Sequence, residues 1–295
     1  RIRNILTGLG LYEAVTLSLM PPRQADAFLP EGTQRLMVCN PLSEELSALR
    51  PSIVATLLSS AAYNLNRKNI NFGLFEIGSV FWRAATGEID QNRMIGAVLS
   101  GAVIQQSWRD KSQACAPADV KGLLEVVAER MQIPSLQFVE DNNAQGFSEG
   151  WRILIDGHVL GRAGRVSTIC RELYGIDADL HALELDFGAL LQHRDWQRHA
   201  KATPRFPAVE RDLSIIVDEN IPAGRIDDLI KQASGEFLES YALFDVYAGK
   251  QVPTGKKSMT YALHFRASDR TLRESEIDTW QSAILRCLEK DAGAT

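Results

Sequence analysis

The residues best suited to chemistry in this sequence are cations and aromatics of its last third. Arg205 and Arg211 flank Phe206-Pro207; Lys250, Lys256 and Lys257 share one stretch between two apolar runs; Arg266, Arg270 and Arg273 precede an amphipathic segment. Phe244, Tyr247 and Tyr261 are interleaved with them. Guanidinium and ammonium groups meet phosphate and aromatic faces stack on bases, so the pattern suits a nucleic-acid contact. Taken alone it also suits a solvated face, because from residue 200 onward 13 basic residues stand against 15 acidic ones.

No catalytic constellation accompanies these residues. His158, His181, His193, His199 and His264 show no HExxH spacing, and the chain has no GxSxG and no P-loop. Gly161-Arg162-Ala163-Gly164 is too short and too common a pattern to hold phosphate. Glu76 and Glu184 sit inside apolar strand patterns, where a carboxylate is expected at an edge or in a structural ion pair. Cys39, Cys115, Cys170 and Cys287 are far apart, with no CxxC to hold zinc, which fits reduced thiols in a cytoplasmic protein. A net charge of −5 excludes a wholesale polycation while allowing a local basic site. The longest apolar stretch, Met94 to Ile104, is broken by Gly96, Ser100 and Gly101, and is too short for a bilayer. The N-terminal residues show no secretory leader, and residue 1 is Arg, which suggests a piece of something longer.

These side chains need elements to position them. Pro51 suits the first turn of a helix running to Arg67, with Ile53, Val54, Leu57, Leu58, Ala61, Ala62 and Leu65 at helical spacing. The stripe is broad enough for the helix to pack on its own core and on a partner, or to be buried within one subunit. Strands are expected over 72–82, 94–104, 151–156, 159–166 and 181–187, with Asp156-Gly157 turning a hairpin and a helix near 120–131. That makes a mostly antiparallel sheet with helices on one side. After a basic, proline-containing stretch near residue 200 the pattern is β-α-β-β-α, one strand short of the ferredoxin-like β-α-β-β-α-β sandwich.

The segments FPAVERDLSIIVDENIPAGRI (206–226), LFDVYAGKQVPTGKKSMTYALHF (243–265) and RTLRESEI (270–277) resemble the ferredoxin-fold anticodon-binding domain of bacterial phenylalanyl-tRNA synthetase β chains. NPLSEELSALRPSIVATLLSSAAYNLNRK (40–68), FGLFEIGSVF (72–81), DVKGLLEVV (119–127) and HALELDF (181–187) resemble the catalytic-like module of the same subunit, so the likeness covers essentially the whole chain. The resemblance implies an α+β protein: a class II synthetase-like antiparallel sheet with helices over 1–200, then a ferredoxin-like sandwich over 201–295. It implies a non-catalytic part of an α2β2 ligase that joins phenylalanine to its tRNA, with ATP and Mg2+ used by the whole enzyme and no cofactor in this part. Its partners would be the α subunit and the phenylalanine tRNA.

On this reading Arg205, Arg211, Tyr247, Lys250, Lys256, Lys257 and Arg270 are expected to face tRNA. Ile53, Leu57, Leu58 and Ala62 are expected at the α-subunit contact. The chain lacks the arginines that clamp ATP in a class II site: none lies between Lys68 and Arg83, and GxGxGxER is absent. It departs from the family at Gly164-Arg165-Val166-Ser167-Thr168, where Gly-x-Leu-His-Pro is usual, and where Ser167 or Thr168 is expected to cap the next helix. The alternative is a ferredoxin-like regulatory module for a small ligand on an unrelated α+β body. The lysine-rich GKQVPTGKK stretch favours phosphate over that reading.

Overall fold

In the computed structural model, which describes residues 1–133, 136–141, 145–194, 203–249 and 251–295, short elements lead into the first sheet. They are α1 (Ile2–Gly8), β1 (Tyr12–Glu13), β2 (Leu19–Met20), α2 (Pro22–Asp26), β3 (Ala48–Leu49) and α3 (Ile53–Leu65). There follow β4 (Phe72–Arg83), β5 (Ile89–Ser100), β6 (Ala102–Ile104), β7 (Gln113–Ala114), α4 (Pro117–Met131), β8 (Gln137–Glu140), β9 (Phe147–Ile155), β10 (His158–Val166), α5 (Thr168–Glu172), β11 (Leu180–Asp186) and α6 (Phe187–Gln192). Contacts divide the chain into units Arg1–Arg198 and His199–Thr295. The boundary expected near residue 200 falls on residues outside those described.

The first unit is built on a seven-stranded sheet of order β1-β4-β5-β11-β10-β9-β8. Every neighbouring pair is antiparallel except β1 with β4. Helices cover both faces, not one as the periodicity suggested. On one face α3 packs Ile53, Leu57 and Leu58 against Phe72, Val98 and Ala182. On the other, α1 and α4 bring Leu6, Val120 and Leu124 onto Phe75, Ile95 and Leu183. Strands buried on both sides read as continuous apolar runs, which conceals how many faces are covered.

Local chemistry explains where elements begin and end. α3 starts at Ile53, not in a turn containing Pro51, because the Ser52 hydroxyl caps it by accepting from Val54 N. The apolar run Met94–Ile104 is two strands, β5 and β6, since Gly101 turns the chain at φ +77°. Asp156 and Gly157 both have positive φ, 49° and 78°, as the expected two-residue hairpin requires. Ser167 caps α5 by accepting from Cys170 N at 3.2 Å, replacing the family's His-Pro start.

The second unit comprises β12 (Val209–Asp218), α7 (Ala223–Ser234), β13 (Leu238–Tyr247), β14 (Lys256–Phe265) and α8 (Glu274–Ala292). Its antiparallel sheet has the order β12-β14-β13, with β14 central. Leu213, Ile215 and Val217 alternate inward and join Tyr261, Leu263 and Phe265 beneath Ile226, Ile230, Ile284 and Leu288 of the two helices. A fourth strand is absent among the described residues, but Thr295 exchanges two backbone bonds with Ile216, of 2.8 and 3.0 Å, along the free edge of β12.

Candidate functional sites

Glu76 and Glu184 lie in one row across the first sheet. Glu76 pairs with Gly96, Gly96 with Glu184, and Glu184 with Arg162. Gly96 has no side chain because α3 sits there: a Cβ would fall 2.5 Å from Ile53 Cγ2. The helix N-terminus therefore rests on Glu184, whose Oε1 accepts from Ile53 N and from Ser52 Oγ, both at 2.7 Å. A carboxylate suits that end of a helix, where N–H groups lack partners. The other oxygen accepts from Arg162 Nη2 at 3.0 Å.

Glu76 is engaged in the same way. Its Oε1 accepts from Arg50 Nη1 at 2.8 Å, and its Oε2 accepts from Thr16 Oγ1 at 2.6 Å. Arg50, only 3% exposed, also donates to Ser79 O and Thr56 Oγ1. Room for its guanidinium exists because Gly78 lacks a Cβ, which would lie 2.2 Å from Arg50 Nη2. Both acids thus have the structural role that their positions suggested, and every cation and carboxylate of the row is bonded within the chain. Sequence reading missed their partners, Arg50 and Arg162. Glycines at 78 and 96 within apolar strands were the signal that something large approaches the sheet.

The residues expected at the α-subunit contact lie elsewhere than supposed. Ile53, Leu57 and Leu58 are fully buried in the chain's own core, so none has surface for a partner to cover. Ala62 is half-buried. Large open apolar side chains lie in the segment after β1: Val15 is 92% and Leu17 67% exposed, and the preceding Ala14 lines one hollow with Ser59, Ser60 and Tyr63 of α3.

In the second unit the expected tRNA contacts are mostly held by their own fold. Arg211 Nη2 donates to Glu274 at 3.2 Å. Lys256 pairs with Asp218 at 3.4 Å. Lys257 Nζ donates to the carbonyls of Glu219 and Ile221 at 3.0 and 2.6 Å, closing the loop before α7. Arg270 pairs with Glu276 and Asp269. Arg266 pins Glu239 and the Phe206 carbonyl. Tyr261 cannot stack on a base: it is fully buried and donates its hydroxyl to Asp227. Arg205 is exposed with no bonded partner among the described residues, and Tyr247, 43% exposed, ends β13 with its ring over Gly249. Lys250 lies outside the described residues.

The two units are thus a mostly antiparallel sheet covered by helices on both faces and a ferredoxin-like sandwich. The fold matches pyrrolysyl-tRNA synthetase from Desulfitobacterium hafniense with a TM-score of 0.51, over 65% of this chain and 66% of that one, at 15% identity. Residues 1–187 match the family described as the phenylalanyl tRNA synthetase beta chain CLM domain, and residues 204–295 match the ferredoxin-fold anticodon binding domain. The chain is 32% identical to the phenylalanine–tRNA ligase beta subunit of Bacillus subtilis over 98% of its own length and 36% of that protein. It is 31% identical to the subunit of the same description from Geobacillus kaustophilus, over 100% and 37%. The chain belongs to the phenylalanyl-tRNA synthetase β-chain family, and spans little more than a third of the curated relatives it matches.

Proposed function

We propose that this chain is the part of a β subunit that supports an α subunit through its first unit and binds the anticodon stem-loop of phenylalanine tRNA through its second. The assembly is a cytoplasmic α2β2 phenylalanine–tRNA ligase. Among the described residues no helix is long and apolar enough to cross a membrane. The matches to both units, in order and covering nearly the whole chain, support this reading most directly.

Chemistry belongs to the partner. ATP with Mg2+ supplies the activated phosphate for joining phenylalanine to tRNA, and a site for it needs fixed cations aimed at phosphate oxygens. This chain does not fit that group: Arg50 and Arg162 are neutralised by Glu76 and Glu184, Arg152 beside Arg162 pairs with Asp141, and Ile53 fills the space above Gly96. The α-subunit contact is assigned to Val15, Leu17 and the half-buried Ala62, because burying open apolar area drives association. For tRNA, Arg205 and Tyr247 are the described residues best free to act, one meeting phosphate and the other supporting a base.

Co-expression with a phenylalanyl-tRNA synthetase α subunit tests the reading. The two should co-purify, and phenylalanine-dependent ATP–pyrophosphate exchange should require the α subunit. Robust exchange by the pure chain refutes the non-catalytic assignment, and failure to co-purify refutes the docking role.

A further inference from the structure

Two loops of the first unit, neither used above, are fastened together beside the start of β4. One follows α3 and carries Arg67 and Lys68, both exposed, with the Arg67 guanidinium stacked 3.4 Å from the Tyr63 ring centre. The other is the β6–β7 hairpin. Asn71 Oδ1 accepts from Ala102 N at 2.8 Å, and Gly101 backs so closely on Ile70 that a Cβ would lie 2.3 Å from its carbonyl oxygen. The base of the hairpin is therefore anchored to the loop after α3.

The hairpin tip is a tight turn. Ser107 N donates to the Asp110 carbonyl at 2.9 Å, while Ser107 Oγ accepts from Arg109 N and Asp110 N at 3.2 and 2.9 Å. It holds Trp108 outward and 95% exposed, with Arg109 and Lys111 exposed beside it. The turn thus offers an uncovered aromatic face next to two cations, an arrangement that can stack on a base. Over residues 66–71 and 101–115 there are four cations, Arg67, Lys68, Arg109 and Lys111, against one carboxylate, in a chain of net charge −5. That carboxylate, Asp110, is already shared by Arg109 and Ser107.

We infer that this surface binds an unpaired stretch of RNA, with Trp108 stacked on a base and the surrounding cations meeting phosphate. The inference rests on the tRNA reading above and adds a contact on the first unit. RNA fits better than a protein partner because each nucleotide brings both an anionic phosphate and a π-face, and these are the two things the loops offer. The adjoining Val103 and Ile104, 53% and 44% exposed, keep a protein partner as the rival outcome.

The test uses the full α/β enzyme and a phenylalanine tRNA transcript, with affinity measured at several salt concentrations. Trp108→Ala should weaken binding about 5- to 100-fold with little change in salt slope, and Trp108→Phe should recover most of the loss. Arg109→Gln with Lys111→Gln should instead shallow the slope, by about 0.7–0.9 for each phosphate no longer neutralised. All variants should retain the α subunit, since the changed side chains are exposed. Unchanged affinity for Trp108→Ala while the parent enzyme binds tRNA overturns this inference alone. Loss of the α subunit from Trp108→Ala also overturns it, making the tip a protein anchor. A parent enzyme that does not bind this tRNA overturns the underlying reading as well.

Discussion

Glu184 joins two elements with one carboxylate, taking the α3 N-terminus on one oxygen and Arg162 on the other. Truncating it removes the carboxylate from a half-buried guanidinium and leaves a buried helix end uncapped, so Glu184→Ala should cost the first unit about 3 kcal/mol, read from urea unfolding. A loss under about 1 kcal/mol would mean the row is dispensable. His181 gives a pH signature. It is 5% exposed with Nδ1 unbonded, and burial holds its imidazole below the usual range against the pull of Asp179. The unfolded chain takes up that proton near pH 6.5 and the folded chain resists, so this stability is present above that pH and lost as pH falls. His181→Asn should flatten the stability profile between about pH 7 and pH 5; an unchanged profile would assign the acid sensitivity to other groups. That Glu76 and Glu184 were structural was legible from their apolar surroundings. Arg50 and Arg162 were not legible as their partners, because strand register brings Arg162 to Glu184 and the turn before α3 brings Arg50 to Glu76, each far off in sequence.

At the scale of the element, α3 decides how the first unit is read. Its presence follows from spacing, whereas its start, expected at Pro51, is set by the Ser52 cap, and the broad apolar stripe left open whether a partner covered one side. The resolving fact is the pair of side-chain-free positions at Gly78 and Gly96, which lets the helix sink onto the sheet. Leu58→Asp should therefore unfold the unit, since it places a charge in a site with no exposure at all. Val15→Asp, at a site 92% exposed, should leave melting within about a degree and lose the α subunit on gel filtration. A soluble Leu58→Asp variant with parental melting would return Leu58 to the interface. Likewise the lysines before and within β14 read correctly as a basic stretch, but Lys257 is spent on two loop carbonyls. Composition shows charge without showing where each charge is bonded.

For the whole molecule, the sequence pattern conveyed two α+β parts and the ferredoxin order, while the helices on both faces of the first sheet needed the register to appear. Chemistry and tRNA recognition are assigned to different places: the first to the partner subunit, the second in large part to the unit from His199 onward. The pure chain should accordingly show no phenylalanine-dependent ATP–pyrophosphate exchange, because Arg50, Arg162 and Arg152 are already neutralised by carboxylates. The central claim is that the second unit serves tRNA and not the adenylation step. Its most direct measurement removes residues 204–295, the stretch matching the anticodon-binding family, from the α/β enzyme. Phenylalanine tRNA affinity and pyrophosphate exchange are then measured on the same preparation. Affinity should fall at least about tenfold at moderate salt while exchange stays at the parental level. Unchanged tRNA affinity, or exchange lost in step with it, would contradict the account.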